Sequence, residues 1–148
     1  MDNLQELYKN LKEYSDFEED DNDAKFLETV DKILSLGEPS SLPVLLQYFN
    51  DEETSWVLKS LSGTIIDYFD DKSYTYEILK NLHIMFPKAK EWAFEFLYII
   101  LNTPACLEIF RNNLHLANKD QLLELFNLMD DGSEPHHSII NDLRKRLE

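Results

Sequence analysis

The stretch Glu91-Trp92-Ala93-Phe94-Glu95-Phe96-Leu97-Tyr98-Ile99-Ile100-Leu101 decides the fold. From Trp92 to Leu101 only Glu95 is charged, and only Tyr98 carries another polar tip. A run this dry has to be covered on most of its sides. Phe, Tyr and Ile favour strands, but the segment runs unbroken from Pro87 to Asn102, longer than an ordinary strand. Pro87 suits a first helical turn, and Asn102-Thr103-Pro104 stops the run. The reading is therefore a buried central helix with other helices packed around it.

Bulk composition agrees. The chain has 148 residues, 43% of them hydrophobic, with three Gly and five Pro. That suffices for one domain with a substantial core, and it argues against a turn-rich β fold. The single Cys, Cys106, leaves no internal disulfide and fits a reducing compartment. The opening Met1-Asp2-Asn3-Leu4-Gln5-Glu6 lacks the basic-then-apolar pattern of a signal peptide, and no apolar run reaches the length of a membrane span. The expectation is a cytoplasmic protein. Its net charge of −15 opposes binding to nucleic acid or anionic lipid and would steer a basic protein partner towards it.

Periodicity outlines about nine helices. The first spans 2–14, with Leu4, Leu7, Tyr8, Leu11 and Tyr14 on one face. An acidic block, Ser15 to Asp23, follows; residues 1–24 hold nine acids against two lysines. Adjacent carboxylates repel and seek water, so this is a linker or exposed loop. The second helix runs from Ala24 to Leu36 and is closed by Gly37 in the left-handed region. The third runs from Ser40 or Ser41 to Phe49. Asn50-Asp51 ends it and caps the fourth, whose apolar residues are Trp56, Leu58, Leu61, Ile65 and Phe69. Gly63 inside that helix costs about 1 kcal/mol relative to Ala, which close approach of a neighbouring helix would explain.

Asp70-Asp71 forms the next turn, and the fifth helix spans Ser73 to Phe86 with Ile78, Leu79, Leu82 and Met85 inward. The central helix follows. Thr103 caps the seventh, which extends to Leu116; Asn118 and Gln121 open the eighth as a capping box; Ser133 caps the last. The third and fourth helices overlie the fifth and sixth at an offset of about 36 residues: Leu42 on Ile78, Leu46 on Leu82, Phe49 on Met85, Trp56 on Trp92, Leu58 on Phe94, Leu61 on Leu97 and Ile65 on Leu101. The seventh and eighth look like a shorter third copy. The fold class is all-α, either stacked antiparallel pairs resembling a HEAT-like α-solenoid or an irregular helical bundle.

No constellation points to a catalytic reaction. His136 and His137 are helical neighbours splayed by about 100° and make a poor ligand pair. Glu134 and His137 have a di-iron spacing without the second such motif. The acidic block lacks the central Gly and closing Glu of a calcium loop. Cys106 has no obvious His or Asn partner, and no nucleophile elbow or phosphate loop is present. The expectation is no catalytic residue, no cofactor and no metal. Arg111 and His115 are similar to the Arg-x4–6-His motif of HEPN-type helical ribonucleases but one residue too close, and an acidic enzyme repels RNA. Glu95 either faces solvent along one edge with Glu91 or is a buried acid.

The opening Leu4-Gln5-Glu6-Leu7-Tyr8, the helix start Leu42-Pro43-Val44-Leu45-Leu46 and the Trp56 helix after an Asn-Asp turn resemble the immunity protein 30 family of bacterial polymorphic toxin systems. That resemblance implies a non-enzymatic inhibitor which binds and neutralises a cognate, basic toxin protein, a nuclease being one class. Candidate partner-binding residues are the acidic block Asp16, Glu18, Glu19, Asp20, Asp21 and Asp23, the turns Asp51, Glu52, Glu53, Asp70 and Asp71, the tyrosines Tyr74 and Tyr76 as exposed anchors, and Glu95. A HEAT-like scaffold or regulatory module is the alternative, and a helical ribonuclease the weaker one. Oligomeric state is left open.

Overall fold

The computed structural model describes residues 3–53 and 56–148. Among these the chain is all-helical, in the order α1 (Leu4–Glu13), α2 (Asn22–Ser35), α3 (Ser41–Leu46), α4 (Trp56–Tyr68), α5 (Asp71–Met85), α6 (Lys90–Leu101), α7 (Pro104–Asn112), α8 (Lys119–Met129) and α9 (His136–Arg146), with a 3-10 turn at Leu114–Leu116. It divides into two compact units, 1–70 and 71–148. No single described helix is long and apolar enough to cross a membrane.

In the first unit, α2 packs against α1, α3 and α4. Its stripe Phe26, Val30, Ile33 and Leu34 is buried, as are Leu7 and Leu11 of α1, Leu42, Leu45 and Leu46 of α3 and Val57, Leu58, Leu61 and Ile65 of α4. Asn3 caps α1 through a 2.8 Å bond from the Glu6 amide. Gly37, at φ 68°, ends the turn after α2, a conformation that suits a residue without Cβ. In the second unit α5 packs on α6 and α7, α6 also meets α7 and α8, and α9 lies on α8. The core there includes Ile78, Leu82, Phe96, Leu97, Ile100, Phe110, Leu125 and Phe126. The decisive segment is thus a helix, and Ala93, Phe96, Leu97, Ile100 and Leu101 are its buried residues.

The offset of about 36 residues holds at the level of burial. Leu42 and Ile78, Leu46 and Leu82, Phe49 and Met85, Leu61 and Leu97, and Ile65 and Leu101 are all buried. It fails at Trp56, which is 58% exposed, and at Leu58, which is buried where its counterpart Phe94 is half-buried. The α4 core stripe is Val57, Leu58, Leu61 and Ile65, and Trp56 shares its face with Ser60, Gly63 and Asp67. Gly63 is exposed, and a Cβ built there meets nothing within 4 Å, so no close approach accounts for it.

Several ends differ from expectation for local reasons. Pro87 lies in the turn before α6 rather than in its first turn, and α6 starts at Lys90. Ser40 makes no side-chain cap, while the neighbouring Ser41 hydroxyl donates to the Glu38 carbonyl. Thr103 does not cap α7 with its side chain, because its hydroxyl donates back to the Ile99 carbonyl at 2.8 Å. Asn118 does cap α8, accepting from the Gln121 amide at 3.0 Å. Asn50 accepts from the Glu52 amide at 2.9 Å, forming a turn in which Glu52 and Glu53 precede the described start of α4. Asn50-Asp51, expected to cap α4, thus forms a turn five to six residues before the helix start at Trp56, and residues 54–55 lie outside the described residues.

Candidate functional site

The acidic block is a folded loop. The Asp16 carboxylate accepts from the Glu18 amide at 3.2 Å, and the Asp16 carbonyl accepts from the Asn22 side chain at 2.8 Å. These local bonds suit a segment with short polar side chains and no helical periodicity. Asp21 takes the left-handed region at φ 64°, and Asn22 then starts α2 two residues earlier than its apolar stripe suggests. Phe17 turns inward and meets Phe26 edge-on at 5.0 Å. Its neighbours Asp16, Glu18, Glu19, Asp20 and Asp21 are exposed, and Asp23 is half-buried in the first turn of α2.

Phe26 also meets Tyr48 edge-on at 5.3 Å. Tyr48 stands just before the second acidic turn, Asp51, Glu52 and Glu53. One buried ring therefore anchors two acidic segments that lie some thirty residues apart in the chain, and edge-on ring pairs of this kind add about 0.5–1.5 kcal/mol each. Burial raises the Tyr48 phenol above its ordinary value. The sequence shows Phe17 as a lone aromatic among acids, which is the only signal that it pins the loop.

Asp70 is exposed, and Asp71 is the first residue of α5. Tyr76 is 37% exposed, with the Lys80 ammonium 5.5 Å over its ring. Tyr74 is not an exposed anchor. It is 3% exposed, and its ring tilts against Phe96 at 6.1 Å. Tyr74, Ile78 and Leu82 share the inner face of α5 at helical spacing, which is why the ring turns into the core. Burial, with Cys106 nearby as a smaller cause, pushes its phenol far above the ordinary range.

Glu95 is exposed, as is Glu91 one turn before it. Beside them lies a feature the sequence reading did not single out. Phe94 and Tyr98 stack at 6.1 Å with rings 13° from parallel, and Tyr98 meets the His136 imidazole edge-on at 5.0 Å. His136 is fixed by a 2.8 Å bond to the Asn102 side-chain oxygen. Tyr98 is 42% exposed and Leu128 on α8 is 60% exposed.

Arg111 and His137 have structural partners. Arg111 forms ion pairs with Asp142 at 3.2 Å and Glu108 at 3.9 Å, whereas His115 is exposed in the 3-10 turn. His137 bonds Asp130. Cys106 is buried. No group of three or more metal-ligating side chains is present among the described residues.

No curated protein and no solved structure matches the chain. A family model does. It covers residues 13–110, about two-thirds of the chain, and spans the acidic loop, both acidic turns, α6 and most of α7. The chain belongs to the family described as immunity protein 30.

Proposed function

We propose that the chain is a non-enzymatic immunity protein that binds and neutralises a cognate, basic toxin domain of a bacterial polymorphic toxin system, in the cytoplasm of the cell that makes both. The observation that carries this reading is the family membership across residues 13–110. The net charge of −15 supplies the sign of the partner. Carboxylates displayed on a folded loop attract a cationic surface and raise the rate of encounter, while buried aromatic and aliphatic contacts set how long the complex lasts. A nuclease fits as the toxin class, because a protein that holds polyanionic nucleic acid is itself basic. Inhibition then needs only occlusion, so no catalytic group is required of the inhibitor.

The test is co-expression. The gene directly upstream of this chain's own should encode a toxin domain; that domain should kill a host strain, and this chain should restore growth at stoichiometric expression. Purified chain should bind that domain, with affinity falling as salt rises. A toxin domain that kills equally with and without the chain, and does not bind it, removes the reading.

A further inference from the structure

The second unit carries one exposed face built from α6 and α8. The two helices run in the same sense. Lys90 at the start of α6 bonds Glu124 within α8 at 2.8 Å, and Asn102, just past α6, bonds His136, beyond the end of α8, also at 2.8 Å. Leu128 lies one helical turn beyond Glu124 on α8, as Phe94 lies one turn beyond Lys90 on α6, so each follows the Lys90–Glu124 pair by four residues. The result is a strip of Phe94, Tyr98 and Leu128, bounded by the Lys90–Glu124 pair at one end and by His136 at the other. Tyrosine in such a strip is suited to binding: it offers large contact area with few rotatable bonds. Here stacking on Phe94 and the edge contact with His136 already fix the ring, so little conformational freedom is left to lose.

The rim is anionic. Glu91 and Glu95 stand one turn apart on the outer face of α6, Tyr98 follows Glu95 by three residues, and exposed Asp131 follows Leu128 by three. Lys90, at the start of α6, is held by Glu124 and lies over the Phe86 ring. A second copy of the chain would bring this rim against its own like charges, and nucleic acid would be repelled by it. The complementary occupant is a protein surface that presents an apolar side chain between Lys or Arg residues. Resting on the immunity reading above, we propose that the α6–α8 face is where the cognate toxin docks, with Tyr98 and Leu128 as its apolar contacts and Glu95 receiving a basic side chain of the toxin.

The probe is the toxin domain encoded directly upstream, titrated calorimetrically into the full chain and into Tyr98→Ala, Leu128→Glu and Glu95→Lys variants. All three substitutions are at exposed positions, and circular dichroism with thermal melting confirms that each variant folds. Tyr98→Ala and Leu128→Glu are expected to weaken binding by about 30-fold or more, the loss typical of a central contact residue. Glu95→Lys is expected to weaken it and flatten its salt dependence, and Tyr98→Phe to restore most of the affinity. Wild-type binding with all variants equal to it overturns the docking face and leaves the immunity reading standing. Absence of wild-type binding overturns the immunity reading and this face with it. A wild-type dimer in sedimentation that Leu128→Glu converts to monomer overturns the proposal in favour of a second copy as the occupant.

Discussion

The Asp130 carboxylate accepts a 2.8 Å hydrogen bond from the Arg144 guanidinium, closing the turn between α8 and α9. His137 Nδ1 lies 2.9 Å from the same carboxylate, and Asn141 bonds both the other ring nitrogen of His137 and Arg144. With its proton on Nδ1, His137 donates to Asp130 and accepts from Asn141, so each member of the network is satisfied. The whole network lies beyond residue 110, outside the stretch the family model covers. It holds the last helix to the unit that presents the α6–α8 face.

This network predicts a pH dependence. The His137 hydrogen bond is the largest cause, with Arg144 and the Gly132 amide next, and together they hold the Asp130 carboxyl far below the usual range. A depressed folded-state pKa gives stability that is fully present above the ordinary Asp value of about 4 and is lost as pH falls towards the folded value. Wild-type chain should therefore lose α9 protection as pH drops below about 4, and Asp130→Asn should be less stable at neutral pH with a shallower acid limb. Thermal melts of both proteins as a function of pH, with hydrogen exchange over α9, make the comparison. Equal acid limbs would show that Asp130 does not hold the turn.

Phe110 is fully buried and meets Phe126 edge-on at 6.2 Å, tying α7 to α8. Phe110→Ala should cost about 3–5 kcal/mol, the usual loss for a buried ring in a packed core. Urea unfolding reads this as a lower midpoint at unchanged slope. A loss below about 1 kcal/mol would mean that the core closes over the gap, contrary to rigid packing at this joint.

The Tyr74 hydroxyl is buried and finds no hydrogen-bond partner among the described protein atoms. A buried polar group without a partner costs about 1–3 kcal/mol. Tyr74→Phe keeps the ring against Phe96 and removes that group, so stability should stay level or rise by up to about 1 kcal/mol. Toxin affinity should not change, because the residue is a core side chain. Reduced affinity in a variant of unchanged stability would return Tyr74 to the contact surface.

Helix existence was readable because apolar spacing reports burial directly: Phe26, Val30 and Ile33 in α2 and Phe96, Leu97 and Ile100 in α6 are in the core as their spacing requires. Orientation was readable from helical spacing for two residues that the sequence reading places otherwise: Trp56 inward with the apolar residues of its helix, and Tyr74 outward because it adjoins the Asp70-Asp71 turn. Trp56 sits with Ser60, Gly63 and Asp67 on the polar face, and Tyr74 heads the apolar stripe of α5. Helix ends were harder. Thr103 and Ser40 look like caps, but a hydroxyl competes between forward and backward partners, and sequence does not say which wins. The α6–α8 strip was hidden for a different reason. It depends on the parallel run of two helices separated by α7 and on the cross-contacts Lys90–Glu124 and Asn102–His136, which no local pattern contains. The acidic loop was legible as charge, while its attachment through Phe17 to Phe26 required the fold.

Gly63 offers the last test. It lies inside α4 in ordinary helical backbone, is exposed, and has open space where a Cβ would stand. Glycine in a helix interior costs about 0.8–1 kcal/mol relative to alanine, through the freedom of the unfolded chain and the lack of a side chain to shield the backbone. With no neighbour to displace, Gly63→Ala should recover most of that, raising the urea midpoint without changing its slope. A destabilised Gly63→Ala protein would show that a methyl group meets something at this position after all, and would restore the close approach first expected from the sequence.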